Sequence, residues 1–180
     1  MRWGRLLVTL LALLSGSCAT KEPPDPYALV EGSIGDAKRL NPITASDGAS
    51  RDITGLVFNG LVKYDKTIRL VGDLAESFEV TTDCRTVVFH LRKGVKWHDG
   101  VEVTAEDVLF TYQRIIDPKT ATPYSGDFEL VSRVEIIDRY TIRVTYRKPF
   151  APGLESWGLG IIPRHLLDGK DLNKIGRAHV

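Results

Sequence analysis

Cysteine is scarce in these 180 residues: only Cys18 and Cys84 occur. With Cys18 assigned to the processing site described below, Cys84 has no partner, so no disulfide framework is expected and stability must come from a packed core. Cys84 sits among Thr82, Asp83 and Arg85, with no base nearby to activate it. Charge of one sign is also lacking. The 24 Lys and Arg nearly balance the 23 Asp and Glu, and no basic stripe appears, which argues against a nucleic-acid partner. The four histidines, His90, His98, His165 and His179, show no H-x-x-x-H spacing and no paired cysteines accompany them, so no metal site is expected. A G-x-S-x-G element is missing too. No catalytic residue and no cofactor are therefore assigned. Hydrophobic content of 43% and charged content of 26% suit an ordinary globular domain.

The start of the chain departs from this average. Arg2 and Arg5 precede an apolar run from Leu6 to Leu14, and Ser15, Gly16 and Ser17 lead to Cys18. A charged start, a short apolar centre and a small-residue exit make residues 1–17 a secretory signal. The run is too short for a permanent span, and no second candidate follows. A cysteine at the exit points to lipid attachment at Cys18, where each buried acyl CH2 contributes about 0.8 kcal/mol. Ser15 stands where a leucine is usual, and ordinary cleavage is the competing reading. Residues 18–27 include Pro23, Pro24 and Pro26 and form a tether. The mature protein is expected on the periplasmic or extracellular face, lipid-anchored to the cell membrane.

Periodicity gives a mixed α/β chain. Residues 28–34 suggest a first strand, and residues 35–50, rich in Gly, Pro, Asn, Asp and Ser, a loop. Ile53, Leu56, Val57 and Leu61 fall near helical spacing, predicting a helix over 52–62 that Gly60 ends. Phe78 and Val80, then Val87, Phe89 and Leu91, alternate around a turn at 81–85. Thr104 opens a helix, with Asp107 completing a capping box, Val108, Tyr112 and Ile115 on its apolar face and Pro118 limiting it. Capping also explains the Glu106-Asp107 pair better than general acid/base chemistry, and a turn accounts for His98-Asp99. A second hairpin joins Val134 and Ile136 to Ile142, Val144 and Tyr146 through Asp138-Arg139, and a short helix covers Arg164 to Leu167. Hairpins interleaved with helices imply substantial antiparallel sheet.

Several blocks in this order carry a resemblance. They are Leu40-Asn41-Pro42, Val57-Phe58-Asn59-Gly60-Leu61 and Leu74-Ala75-Glu76-Ser77-Phe78-Glu79-Val80. Next come Phe89-His90-Leu91-Arg92-Lys93-Gly94-Val95-Lys96-Trp97-His98-Asp99-Gly100 and Val103-Thr104-Ala105-Glu106-Asp107-Val108, and last Ile161-Ile162-Pro163-Arg164-His165-Leu166. The chain resembles extracellular solute-binding proteins of family 5, which include oligopeptide-, dipeptide- and nickel-binding proteins. Cys84 departs from the glycine often found at its turn.

The resemblance implies a type II-like periplasmic binding protein, two-lobed when complete, of which residues 28–174 would be the start of the first lobe plus the smaller inserted domain with its antiparallel hairpins. It implies the binding component of an ABC importer, a monomer that captures peptides and hands them to permease subunits. Nickel, another small solute and a non-transport surface lipoprotein are the alternatives. Residues 117–124, ending at Tyr124, resemble a stretch of oligopeptide-binding members whose tyrosine faces the peptide, and the loop Ser46-Asp47-Gly48 resembles one that runs beside the peptide backbone. The competing reading puts Tyr124 in the core and leaves the loop in solvent. Residues 175–180 read as a translated sequencing adapter, expected to be foreign to the protein, with the second lobe lying downstream in the family.

Overall fold

The structure is a computed structural model that describes residues 35–176 together with Ala28 and Gly32. The secretory signal, the tether and Cys18, most of the expected first strand, and His179 lie outside the described residues. In chain order the elements are α1 (Gly48–Val57), β1 (Val62–Tyr64), β2 (Leu70–Gly72), β3 (Ala75–Val80), β4 (Thr86–Leu91) and α2 (Ala105–Ile116). A 3-10 helix (Ser125–Phe128), β5 (Val131–Asp138), β6 (Thr141–Tyr146), a second 3-10 helix (Ala151–Gly158) and α3 (Arg164–Leu167) follow.

Alternation in sequence becomes alternation in burial. Val87, Phe89 and Leu91 of β4 are buried, while Thr86, Val88 and His90 between them are half-exposed. Ile142, Val144 and Tyr146 of β6 repeat the pattern. The two strands pair antiparallel with Phe89 opposite Ile142 and Val87 opposite Val144, so the buried residues share one face. β3 flanks β4 and β5 flanks β6, giving an antiparallel sheet of order β3-β4-β6-β5. In β5, Val134 is half-buried but Ile136 is exposed, because β5 is an edge strand whose register shifts between Ile136 and Asp138.

The β3–β4 turn explains the odd residue at position 84. Cys84 has φ of 54°, the left-handed region that glycine occupies without a steric penalty. Its N–H bonds Thr81 O at 2.8 Å, and Asp83 accepts from the Thr81 hydroxyl and the Arg85 N–H.

α2 lies on the sheet through Ala105, Val108 and Ile115, all nearly inaccessible. Asp107, only 4% exposed, holds its start: one carboxylate oxygen accepts from Thr104 N–H at 2.9 Å, the other from Arg164 N–H at 2.9 Å. The same residue thus caps α2 and fixes the entry to α3. Thr111, also buried, donates to Asp107 O and accepts from Ile162 N–H. The helix stops at Ile116, just before Asp117-Pro118.

Trp157 joins these layers. It is 2% exposed, and its ring lies 5.8 Å from Phe89, 6.1 Å from Tyr112 and 5.2 Å from Phe128 between centroids. Its Nε1–H donates to the Tyr146 hydroxyl at 2.9 Å, which donates in turn to Gly153 O at 2.8 Å. Burial pushes the Tyr146 pKa up to about 12, so the hydroxyl keeps its proton for that bond.

Two expectations for residues 48–62 are corrected. The helix begins at Gly48, four residues earlier than the apolar spacing indicates, because Asp47 caps it by accepting from Ser50 N–H at 2.9 Å. It ends at Val57, since Phe58 is already extended. Gly60 lies beyond the helix, and its role is a close approach: a Cβ there would collide with the Gly158 carbonyl. The burial of α1 also inverts. Ser50 and Thr54 face inward, while Ile53, Leu56 and Val57 are 43%, 83% and 45% exposed. The β1–β2 hairpin was not anticipated, because two three-residue strands show too little alternation to register.

Two changes test this packing by urea denaturation of the mature protein. Tyr146→Phe leaves Trp157 N–H and Gly153 O without their partner and is expected to cost about 1–3 kcal/mol. Cys84→Gly relieves the left-handed backbone and is expected to add about 0.5–1 kcal/mol. A destabilised Cys84→Gly variant would contradict the turn geometry.

Candidate ligand-binding site

Close backbone packing makes room for a concavity. Leu61 N–H bonds Trp157 O at 2.7 Å and Ile161 N–H bonds Asn59 O at 2.9 Å, bringing residues 59–61 and 157–161 side by side. Glycines at 60, 158 and 160 permit that approach; a Cβ on Gly160 would come within 2.7 Å of Phe58 Cβ. Above this floor is an open concavity of about 590 Å³, walled by α1, β1 and the loops that hold Pro42 and Tyr124. Its size is that of a small-ligand site.

Tyr124 and the 46–48 loop, far apart in sequence, are neighbours here. The Tyr124 hydroxyl donates to Ala45 O at 2.7 Å. Its ring is partly buried against the core and also lines the concavity. Burial pushes its pKa up, and nearby Arg51 draws it back down. Asp47 is held by the Ser50 hydroxyl and N–H, which keep its pKa below the usual carboxylate range. Ser46 and Gly48 are exposed. The segment leading to Tyr124 is fastened by Asn173, which accepts from Ala121 N–H at 2.8 Å and donates to Lys119 O at 2.9 Å. Gly176, within the stretch read as foreign, accepts from Leu40 N–H at 2.6 Å.

Sequence reasoning missed most of this wall. Arg51, Phe58, Lys63, Tyr64, Asp73 and Glu155 all line it. Lys63 Nζ and Asn59 Nδ2 each donate to Asp73 at 2.8 Å. Glu155 takes the Tyr64 hydroxyl, which raises that hydroxyl's pKa. No sequence signal links these positions, because the chain brings them together only at the glycine crossing.

A larger cleft, about 750 Å³, lies between α2, the β5–β6 turn and α3. Its charges are committed to one another. Glu102 accepts from Tyr140 Oη at 2.8 Å and from Arg139 Nη2 at 2.9 Å, Arg164 pairs with Glu106, and His165 Nε2 lies 2.6 Å from Asp99. This is a joint that ties three elements, with few free groups for a ligand. Asp99 pairs with His165 and not with its neighbour His98, which removes the base-and-orienter reading of His98-Asp99.

Comparison with known proteins now decides the family. Residues 69–174, more than half of the chain, match bacterial extracellular solute-binding proteins, family 5 (middle). The chain belongs to this family. It is 31% identical over 160 residues to the oligopeptide-binding protein AppA of Bacillus subtilis, covering 85% of this chain and 29% of that one. Among solved structures, AppA with a nonapeptide superposes with a TM-score of 0.70 at 27% identity, covering 78% of this chain and 28% of that one. NikZ of Campylobacter jejuni with Ni(L-His) gives 0.71 at 33% identity, covering 81% and 28%. The chain therefore spans less than a third of the length of these relatives. The mixed α/β architecture with antiparallel sheet is that of type II periplasmic binding proteins.

The joint makes a pH prediction. The hydrogen bond from His165 chiefly holds the Asp99 pKa below the usual range. A carboxylate with a lower pKa in the folded chain stabilises it above the unfolded pKa of about 3.9 and loses that contribution as pH falls through the folded value. Asp99→Asn should lower the thermal midpoint at pH 7, and the gap to the natural protein should close once the pH has fallen below the lowered Asp99 value. A gap of the same size at both pH values would show that Asp99 acts by packing alone.

Proposed function

We propose that the complete protein is the substrate-binding component of an ABC importer that captures short peptides outside the cell membrane and delivers them to permease subunits. The observation that carries this reading is the Tyr124–Ala45 hydrogen bond, which ties an aromatic ring on the wall of an open concavity to the residue preceding the loop at 46–48, itself outside that wall. A ring offers apolar surface to varied side chains, and a loop offers backbone groups that pair with an extended peptide as a strand would. Ser46, Asp47, Gly48 and Tyr124 are the ligand-facing residues in this reading. Peptide binding by family members such as AppA supports it.

The rest of the proposal follows the family pattern. Residues 1–17 direct export, Cys18 carries the lipid, residues 18–27 form the tether and residues 28–174 are the N-terminal part of the binding domain. A second lobe supplied by a longer chain would close over the peptide, and closure is driven only by the ligand's higher affinity for the closed state. The apolar face formed by Ile53, Leu56 and Val57 suits a surface that such a chain would cover. The protein acts as a monomer and binds reversibly without catalysis.

A second reading has one observation behind it, the similarity to NikZ, whose structure holds nickel as a histidine complex. Calorimetric titration of the complete mature protein separates the two. The peptide reading expects tetrapeptides to bind with a Kd of about 1 µM or tighter, Tyr124→Ala to weaken them about 10-fold, and nickel with histidine to give no heat. Nickel–histidine binding without peptide binding would replace peptide with metal chelate.

A further inference from the structure

We infer that Arg51 receives a carboxylate of the ligand, so that this wall of the site selects anionic groups; the inference rests on the peptide-binding reading above. Arg51, Lys63, Asp73 and Glu155 are the charged side chains lining the concavity. Lys63 is spent on Asp73, and Glu155 on Tyr64. Arg51 has no side-chain hydrogen bond and no ion pair among the described residues, although it lies near enough to Tyr124 to draw that hydroxyl's pKa down.

The wall also has open space one helical turn beyond Arg51. Gly55 is four residues on, on the same face of α1. It lines the concavity too, and a Cβ built on it would meet nothing within 4 Å.

The neighbouring groups leave the task to Arg51 alone. The Tyr124 hydroxyl gives its only proton to Ala45 O and has none for an anion. A guanidinium can instead grip a carboxylate through two parallel N–H donors, a stronger and more directional contact than a lysine provides.

The ligand carboxylate could be a peptide C-terminus or an acidic side chain, and three probes separate these sources. The complete mature protein is titrated with tetra-alanine as the free acid, with its C-terminal amide, and with an amide carrying one Glu in place of Ala. Arg51→Gln should weaken at least one carboxylate-bearing probe about 10-fold while leaving the uncharged-end amide unchanged. Arg51→Lys should recover part of the loss. A loss confined to the free acid assigns the C-terminus, and a loss confined to the Glu-bearing amide assigns the side chain. Equal affinity of Arg51→Gln and the natural protein for all three probes, or equal weakening of all three, overturns the inference while peptide binding stands. If the natural protein binds none of the probes, the peptide reading falls and this inference with it. Unchanged thermal unfolding of Arg51→Gln confirms that any loss arises at the site.

Discussion

Trp157 is the contact on which the other parts depend. Its ring meets Phe89 of β4, Tyr112 of α2 and Phe128 of the first 3-10 helix, its indole N–H is held by Tyr146 of β6, and its carbonyl accepts from Leu61 at the floor of the concavity. One residue thus couples the sheet core to the floor of the concavity. The second 3-10 helix that carries it has no strong intrinsic preference of its own; it is set by packing of this ring and by the glycines that let residues 157–161 lie against residues 59–61.

Polar economy separates scaffold from site. The cleft by α3 is the larger of the two, yet its carboxylates and cations pair with one another, and the buried Asp107 ties α2 to α3 through two backbone N–H groups. Such pairs fix geometry and leave little for a ligand. The concavity beside Tyr124 is smaller but holds a guanidinium with no side-chain partner among the described residues, and open space beside Gly55. Size alone would single out the cleft by α3.

Much of the scaffold was legible in the sequence. The alternation of Val87, Phe89 and Leu91, and of Ile142, Val144 and Tyr146, marked inward faces because side chains on a strand alternate regardless of what lies beyond. Thr104 and Asp107 marked the start of α2 because a cap is a local device. The helix at 48–57 was misread for the opposite reason. Its cap is Asp47, its inward residues are the small polar Ser50 and Thr54, and its apolar residues face out, so hydrophobic spacing gave the wrong start and the wrong face. Family resemblance singled out Tyr124 and the loop at 46–48; composition and spacing could not.

The sequence by itself determined the family, the α/β class, the two hairpins and the capped helix, because these rest on period, caps and ordered blocks that a short window contains. Only the tertiary structure decided that Tyr124 reaches Ala45, that Gly60 and Gly158 meet, that Asp99 answers to His165 and that Arg51 lines the concavity with no side-chain partner among the described residues. Each of those depends on which distant groups use up a donor or fill a space, and pairing across dozens of residues leaves no periodic mark in the chain.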